Sequence, residues 1–193
     1  FYSNIGDGVV NAYLKNDVDK LETIGQKYNI PIDGIISDGI KLGTTLMQMI
    51  AHLPVFGQPL TVYRGVKRSN VKILNVGDLI ELTAFTSTST DPTVSIDFTD
   101  KWSGCCLYQI QLPSNIKGLF IQPYSQHGPE REFLLPPGYL LEYLGNAKQS
   151  IRYRRTYINK IVYKFDCVNA DEMEKYYSPS TTFHVSPNMF NHT

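Results

Sequence analysis

Two glutamates separated by one residue are the groups in this chain that are best suited to chemistry. Glu130 and Glu132 flank Arg131 immediately before the apolar run Phe133-Leu134-Leu135. A β-strand over residues 130–135 would place both carboxylates on one face and Arg131 on the other. Two neighbouring carboxylates repel each other and raise the pKa of at least one, as in sites that move protons or stabilise charge. A solvated face of an edge strand is the alternative.

A second candidate group is an arginine at the end of a hydrophobic strand. Arg64 follows Thr61-Val62-Tyr63 and precedes Gly65, whose missing side chain lets a ligand approach the main chain. A guanidinium in this position can hold a phosphate or a carboxylate through two parallel hydrogen bonds. The alternative is an arginine that extends from the strand end into solvent.

Five consecutive hydroxyl residues follow Phe85 and form the third candidate. Strand alternation would put Ser87 and Ser89 on one face and Thr86 and Thr88 on the other. A serine hydroxyl can then orient a neighbouring carboxylate. An ordinary edge strand rich in Ser and Thr would show the same pattern. The chain has no Gly-x-Ser-x-Gly sequence, which argues against a serine hydrolase.

The composition limits the possible partners. The 193 residues include 18 Lys and Arg against 18 Asp and Glu, so no overall field attracts a nucleic-acid backbone or an anionic membrane. The longest apolar stretch, residues 46–56, is interrupted by polar residues and is far shorter than the about 20 residues of a membrane-spanning helix. We therefore expect neither nucleic-acid binding nor membrane insertion.

The cysteines give no sign of a metal centre or of a disulfide framework. We expect them to be buried as small hydrophobic residues in strands; they are Cys105, Cys106 and Cys167. No cluster of His, Cys, Asp and Glu has the spacing of metal ligands, so we expect no metal.

The candidate groups must be positioned by helices and strands that the sequence pattern predicts. Before Pro54 the apolar spacing predicts three helices, with Asp17 as the N-cap of the second and Pro31 before the third. After Pro54 a short helix is expected at Pro92, following Asp91. Short segments rich in β-formers predict eight strands: 60–64, 78–82, 84–89, 105–112, 118–121, 130–135, 139–143 and 155–167.

This pattern predicts the α+β class, with N-terminal helices followed by two packed, mainly antiparallel β-sheets. We expect a single catalytic domain over residues 1–193, in which residues 1–56 are helical and residues 57–193 are rich in β-strands.

The order and spacing of the three motifs resemble the Arg, Ser-Thr-Ser, Glu-x-Glu signature of the mono-ADP-ribosyltransferases related to bacterial binary toxins and other exotoxins. The resemblance covers roughly residues 60–143. It implies an ADP-ribosyltransferase-like NAD-binding core, with NAD as co-substrate and no metal. The matching pieces are Val62-Tyr63-Arg64-Gly65, Phe85-Thr86-Ser87-Thr88-Ser89 and Glu130-Arg131-Glu132-Phe133-Leu134-Leu135-Pro136.

For the nucleotide, the resemblance implies that Arg64 holds NAD on its phosphate side and that Gly65 meets the nicotinamide amide through its main chain. Ser87 would orient Glu132. Phe98 stands where the family often places an aromatic beside the nicotinamide.

Other features of the resemblance concern the N-terminal helix and the acceptor. The sequence from Val10 to Leu14 looks like the family's N-terminal helix, which would bring Asn11 near the nucleotide. Glu130 would receive the acceptor guanidinium, and a Glu at this position points to arginine acceptors. Tyr124, in the preceding loop, would contact the target protein or else simply pack in its turn.

We therefore expect transfer of ADP-ribose from NAD to an arginine of a target protein, with release of nicotinamide through an oxocarbenium-like transition state. An ionised Glu132 bonded to a ribose hydroxyl would stabilise the developing charge. The alternatives are an NAD glycohydrolase and a catalytically idle module that binds NAD or a protein. We expect a monomeric domain, secreted or delivered into a host cell and acting in its cytosol.

The basic segment 148–164 contains six Lys and Arg residues and no acidic residue. Such a segment is either a solvated strand face or a patch that steers an acidic partner, or the phosphates of NAD, toward the site.

Overall fold

The computed structural model describes residues 7–67, 71, 73–97, 106–121 and 131–172. Three helices come first: α1 at Asp7–Leu14, α2 at Val18–Tyr28 and α3 at Ile32–His52. The Asp17 carboxylate accepts the main-chain N–H of Lys20 at 3.1 Å and caps α2 as predicted. No helix in the described residues is long and apolar enough to cross a membrane.

Helix α3 keeps 21 residues in spite of its glycines, and two of these glycines let α1 pack closely against it. A Cβ atom at Gly39 would lie 3.3 Å from side-chain atoms of Val9 and Tyr13, and one at Gly43 would lie 3.4 Å from Val10. The cost of glycine in a helix is therefore offset here by close helix–helix contact.

Within the described residues, eight strands and one short helix follow the first three helices. They are β1 Leu60–Val66, β2 Leu79–Glu81, β3 Thr86–Ser89, α4 Pro92–Asp97, β4 Cys106–Leu112, β5 Leu119–Phe120, β6 Glu132–Leu135, β7 Leu140–Tyr153 and β8 Thr156–Cys167. Each lies where the sequence pattern predicted a strand or helix. The exception in length is β7, which extends ten residues beyond the predicted end at Tyr143 and pairs with β8 as a long hairpin.

Hydrogen bonds join the strands in one series with the order β2-β7-β8-β4-β1-β3-β6-β5. Only the β4–β8 pair is parallel among these described strands, so the α+β class with mainly antiparallel pairing is confirmed. The series is continuous, and the prediction was of two packed sheets.

The two ends of the series nevertheless face each other across one core. Phe133 of β6 and Tyr143 of β7 belong to the same buried cluster although their strands are five places apart, which in a flat sheet would be about 24 Å. The Tyr139 hydroxyl, next to β7, bonds both main-chain groups of Lys117, next to β5, at 2.9 and 3.0 Å. The sheet therefore curves around this core and gives the packed layering that was expected.

Helices α1 and α3 cover the other face of the sheet near β3 and β6. Val10 and Ile50 pack with Leu134 of β6 and Phe85, which directly precedes β3. This layer places the end of α1 beside the strands that carry the candidate motifs.

Helix α4 is fixed against β1. Asp91 caps it by accepting the main-chain N–H and the hydroxyl of Thr93 at 2.9 and 2.7 Å. The Ser95 hydroxyl then donates to the main-chain carbonyl of Tyr63 at 2.9 Å. The helix predicted after Asp91 is confirmed, and its last residue is Asp97.

The described cysteines are buried, as predicted: Cys106 lies in β4 and Cys167 ends β8. Burial raises the pKa of the Cys167 thiol to about 11, so this residue is a packing group rather than a nucleophile. Cys105 lies outside the described residues.

Candidate active site

Adjacent strands bring the three sequence motifs together. Strands β1, β3 and β6 are neighbours in the sheet, and they carry Arg64, Ser87 and Glu132 respectively. Ser89 lies opposite Tyr63 on one side and opposite Glu132 on the other. Neighbouring strands lie about 4.8 Å apart, so the three motifs span about 10 Å of the sheet.

Arg64 is linked to the second motif by a direct hydrogen bond. Its Nη1 donates to the main-chain carbonyl of Ser87 at 2.8 Å. The side chain is half-buried, and a planar guanidinium held at one nitrogen keeps a defined orientation. Gly65 follows it in β1, opposite Leu107 of β4. Arg64 therefore lies at a fixed position beside the hydroxyl strand.

Ser87 is the exposed residue of β3, and Thr86, Thr88 and Ser89 are buried. Ser87 is exposed, whereas Thr88 is buried and its hydroxyl donates to the main-chain carbonyl of Phe133 at 2.6 Å. Thr86 is also buried, and its hydroxyl bonds to the carbonyl of Ala84 at 3.1 Å. The threonines thus hold β3 in place, and the serines lie on the other face, as the alternation predicted.

Glu132 is the first residue of β6 and is half-buried. Its main-chain carbonyl accepts the N–H of Ile121 at 3.1 Å, which anchors this end of the strand. Since Ser87 and Ser89 share a face of β3 and Ser89 lies opposite Glu132, the carboxylate and both serines occupy the same face of the sheet.

The predicted strand over 130–135 begins at Glu132 because Arg131 leaves the extended conformation. Arg131 has a φ of +46°, in the left-handed region, and its carbonyl accepts the N–H of Thr90 at 3.3 Å. The alternation that put Glu130 and Glu132 on one face requires an extended backbone at Arg131, so that argument does not apply here. Glu130 itself lies outside the described residues.

Lys15, directly after α1, is a cation near the site that sequence reasoning missed. Its side chain is exposed, yet partial desolvation and then the nearby Arg64 and Lys20 charges lower the pKa of its ammonium, against a smaller opposing effect of Asp17. The charge of Arg64 therefore acts on the Lys15 ammonium. Two cations whose charges repel each other in this way suit a bound phosphate group, which would offset the repulsion.

Asn11, one helical turn before Lys15, has a buried side-chain oxygen with no hydrogen-bond partner among the described residues. A buried acceptor without a donor costs about 1–3 kcal/mol. Residues four apart share a face of a helix, so Asn11 and Lys15 lie on the same side of α1.

Three of the site residues expected from the sequence lie outside the described ranges: Phe98, Tyr124 and Glu130. Phe98 follows directly after α4, which ends at Asp97. Among the residues that the structure describes, no three His, Cys, Asp or Glu side chains are grouped as metal ligands.

The family of this chain follows from its sequence match. A model of the ADP-ribosyltransferase exoenzyme family matches residues 2–164. The chain belongs to this family. Enzymes of this family use NAD as co-substrate and transfer its ADP-ribose, and those that are toxins modify target proteins.

Solved structures share the fold of this family member. ADP-ribosyltransferase Vis of Vibrio splendidus, crystallised with agmatine, is 24% identical with a TM-score of 0.57, over 88% of this chain and 72% of Vis. The ATR domain of Salmonella SpvB is 19% identical with a TM-score of 0.61, over 87% of this chain and 95% of that domain. The VahC catalytic domain of Aeromonas hydrophila is 20% identical with a TM-score of 0.58, over 86% of this chain and 94% of that domain.

A viral protein is similar in sequence. Uncharacterized protein R217 of Acanthamoeba polyphaga mimivirus is 29% identical over 183 residues, which are 90% of this chain and 24% of that protein. The chain therefore spans about a quarter of the length of this curated relative.

Proposed function

We propose that this chain transfers ADP-ribose from NAD to an arginine side chain of a target protein. Beside the family membership, the observation that carries the proposal is the hydrogen bond from Arg64 to Ser87, on the strand that lies next to Glu132. It supports a site in which a phosphate-binding cation and a carboxylate are held on adjacent strands.

The residues on α1 and β1 fit the polar groups of NAD. Arg64 and Lys15 bind the diphosphate, whose negative charge offsets the repulsion between them. Asn11 offers its unpartnered oxygen to a donor of the nucleotide. The main chain of Gly65 contacts the nicotinamide amide, because no side chain blocks the approach, and Phe98 lies beside the nicotinamide ring.

Glu132 performs the central electrostatic task. Ser87 orients its carboxylate, which accepts a hydrogen bond from a ribose hydroxyl and stabilises the positive charge that develops as the bond to nicotinamide breaks. Nicotinamide leaves as a neutral molecule, so a strong general acid is not needed. The half-burial of Glu132 favours this role, since a carboxylate acts more strongly where water is partly excluded.

Glu130 receives the acceptor. An arginine guanidinium is protonated at neutral pH, and a carboxylate beside it can orient it and take its proton during attack. Vis was crystallised with agmatine, which carries the guanidinium group of arginine, so a protein of this fold can hold such a group. Tyr124 contacts the target protein near the acceptor.

The same proposal covers the setting of the reaction. The chain acts as a monomeric domain on a protein of a host cell, in the cytosol, after secretion or delivery. Residues 1–193 form one catalytic domain, in which the helical residues 1–56 support the NAD-binding strands of residues 57–193.

Mass spectrometry of a modified acceptor tests the proposal. A eukaryotic cell lysate and free agmatine are each incubated with the chain and NAD, and the ADP-ribosylated atoms are localised. We expect modification of arginine side chains and of agmatine, abolished by Glu132→Gln and retained in Glu81→Gln, a matched change at an exposed glutamate of β2. ADP-ribose on another residue type, with agmatine unmodified, would contradict the arginine assignment.

A further inference from the structure

The long hairpin of β7 and β8 extends beyond the rest of the described sheet. Ile161 of β8 pairs with Cys106, the first residue of β4, and also with Lys148 of β7. From Lys148 to Tyr153 and back from Thr156, the two strands pair with each other. At about 3.3 Å per residue, this end of the hairpin reaches roughly 20 Å past β4.

The hairpin has two different faces. On its inner face Ile151 and Ile158 are half-buried and Lys160 is buried, and the Tyr153 hydroxyl donates to the Asp97 carboxylate at the end of α4. The residues of the outer face are all exposed. We call this surface the hairpin outer face; it consists of the cross-strand pairs Lys148 with Ile161, Ser150 with Asn159 and Arg152 with Tyr157.

The hairpin outer face is continuous with the sheet face that carries Arg64. Arg64 pairs with Tyr108 of β4, and Tyr108 pairs with Tyr163 of β8; the two tyrosine rings are 5.8 Å apart. Tyr163 and Ile161 are two residues apart in a strand and share a face. A molecule bound to the hairpin outer face therefore lies next to the row that leads to Arg64.

The charge of the chain is divided between this hairpin and the remainder. The segment 144–165 carries six Lys and Arg residues and no acidic residue, which leaves twelve basic residues to offset all 18 acidic ones elsewhere. The hairpin thus attracts an acidic surface while the remainder repels it. Such an arrangement orients a partner as it approaches.

The side chains of this face suit a protein rather than a small anion. Tyr157 is 68% exposed and Ile161 is 41% exposed, and they alternate with cations. Exposed tyrosine and arginine together are typical of residues that dominate protein interfaces. Six side chains are far fewer than the about 20–30 per partner of a stable complex, so binding at this face is transient, as a substrate protein requires.

From these observations we infer that the hairpin outer face docks an acidic surface of the protein that is to be ADP-ribosylated. This inference rests on the proposed function, and it adds a recognition surface on β7 and β8 and the charge of the target. The cations Lys148 and Arg152 attract the target, and Tyr157 and Ile161 make apolar contact with it.

Charge reversal on the hairpin tests this inference. The variant Lys148→Glu/Arg152→Glu is compared with the parent and with Lys27→Glu/Lys41→Glu, which makes the same change of charge at exposed residues of α2 and α3. Two rates are measured: nicotinamide release from NAD without an acceptor, and incorporation of ADP-ribose into the proteins of a nuclease-treated eukaryotic lysate. Melting temperatures verify that each variant is folded.

We expect the hairpin variant to label proteins about tenfold more slowly than the parent at low ionic strength, with nicotinamide release within about twofold of the parent. High salt should lower the labelling rate of the parent toward that of the hairpin variant. The control variant Lys27→Glu/Lys41→Glu should label proteins as fast as the parent. The charge-conserving variant Lys148→Arg/Arg152→Lys should retain labelling.

Several outcomes would overturn the inference. Equal labelling by parent and hairpin variant removes the surface from target binding and leaves the proposed function standing. A raised KM for NAD in the variant assigns the cations to the nucleotide instead. Parent labelling that occurs in an untreated lysate and is lost after nuclease treatment assigns the cations to nucleic acid. A parent that is dimeric by size-exclusion chromatography, with a monomeric variant, assigns the face to a second copy. A parent that releases no nicotinamide, or labels no protein, contradicts the proposed function itself.

Discussion

The guanidinium of Arg64 donates a hydrogen bond to the main-chain carbonyl of Ser87 across 2.8 Å. Ser87 lies on β3, which is hydrogen-bonded to both β1 and β6. Strand β3, which accepts the hydrogen bond of Arg64, is therefore also paired with β6, the strand that begins at Glu132. In the proposed site this arrangement would couple the grip of Arg64 on the phosphate side of NAD to the position of the Glu132 carboxylate, so both should respond to changes in β3.

Replacement of Arg64 by lysine should weaken NAD binding about tenfold or more, since an ammonium is a point charge and cannot reproduce a planar grip on phosphate while it also bonds the Ser87 carbonyl. Isothermal titration calorimetry with NAD measures the effect. Arg155→Lys, at an exposed position in the hairpin turn, is the control and should bind as the parent does. Unchanged affinity in a folded Arg64→Lys variant would remove Arg64 from the site.

Two neighbouring hydroxyl residues should separate catalysis from stability. We propose that Ser87 orients Glu132, so Ser87→Ala should lower kcat about tenfold. Because Ser87 is exposed, the same change should shift the free energy of unfolding by less than about 0.5 kcal/mol. Thr88 bonds the Phe133 carbonyl in the core, so Thr88→Val should cost about 1–2 kcal/mol of stability. Steady-state kinetics and denaturant unfolding measure the two effects. If Ser87→Ala destabilises the fold as much as Thr88→Val, the orienting role of Ser87 is wrong.

Lys15 should take up a proton when NAD binds at alkaline pH. Partial desolvation and the Arg64 charge hold the pKa of Lys15 below its ordinary 10.5, and a bound diphosphate raises it by favouring the charged form. Between these two pKa values the free lysine is neutral and the bound lysine is charged, so binding takes up a proton; below the lower value the lysine is charged in both states. Calorimetry in buffers of different ionisation enthalpy measures the uptake.

The variant Lys15→Gln should lose this proton uptake and bind NAD more weakly, whereas Lys27→Gln on α2 should keep both properties. Proton uptake that persists in Lys15→Gln would mean that another group titrates on binding, and Lys15 would have no place in the phosphate site.

Chelation should leave the activity unchanged. The proposed reaction stabilises a developing positive charge with a carboxylate, which is a task that a divalent cation would oppose rather than assist. NAD turnover is measured before and after dialysis against EDTA. Loss of turnover that is restored by a divalent ion would contradict this mechanism.

The sequence identified the motifs well because each breaks the pattern of its strand. Arg64, the hydroxyl run and Glu132 are polar residues where buried strands are apolar, and the structure places all three on adjacent strands. Lys15 was missed because a lysine after a short helix has no distinguishing local pattern. Only the fold reveals its proximity to Arg64, which is 49 residues away in the chain.

Two structural features depend on contacts that a sequence pattern does not contain. The strand β7 continues past Tyr143 through exposed and polar residues, and it is stabilised by pairing with β8 rather than by its own alternation. Arg131 adopts a left-handed φ, which is uncommon for a residue other than glycine and which the residue type does not predict. The position of Glu130 relative to Glu132 therefore could not be derived from the alternation of side chains along an extended strand.

The two glutamates test the central claim, the transfer of ADP-ribose to arginine, most directly. Glu132→Gln keeps the shape of the side chain and removes the charge that, in the proposed mechanism, stabilises the oxocarbenium-like state, so we expect a loss of about a hundredfold or more in rate. Glu130→Gln leaves that charge in place and removes the group that we propose receives the guanidinium. Nicotinamide release and formation of ADP-ribosyl-agmatine are measured side by side in the parent and in both variants, over a range of pH.

We predict that Glu132→Gln loses both activities, and that Glu130→Gln loses transfer to agmatine while slow release of nicotinamide to water continues. Equal loss of both activities in both variants would contradict the separate role of Glu130 and the arginine specificity that depends on it.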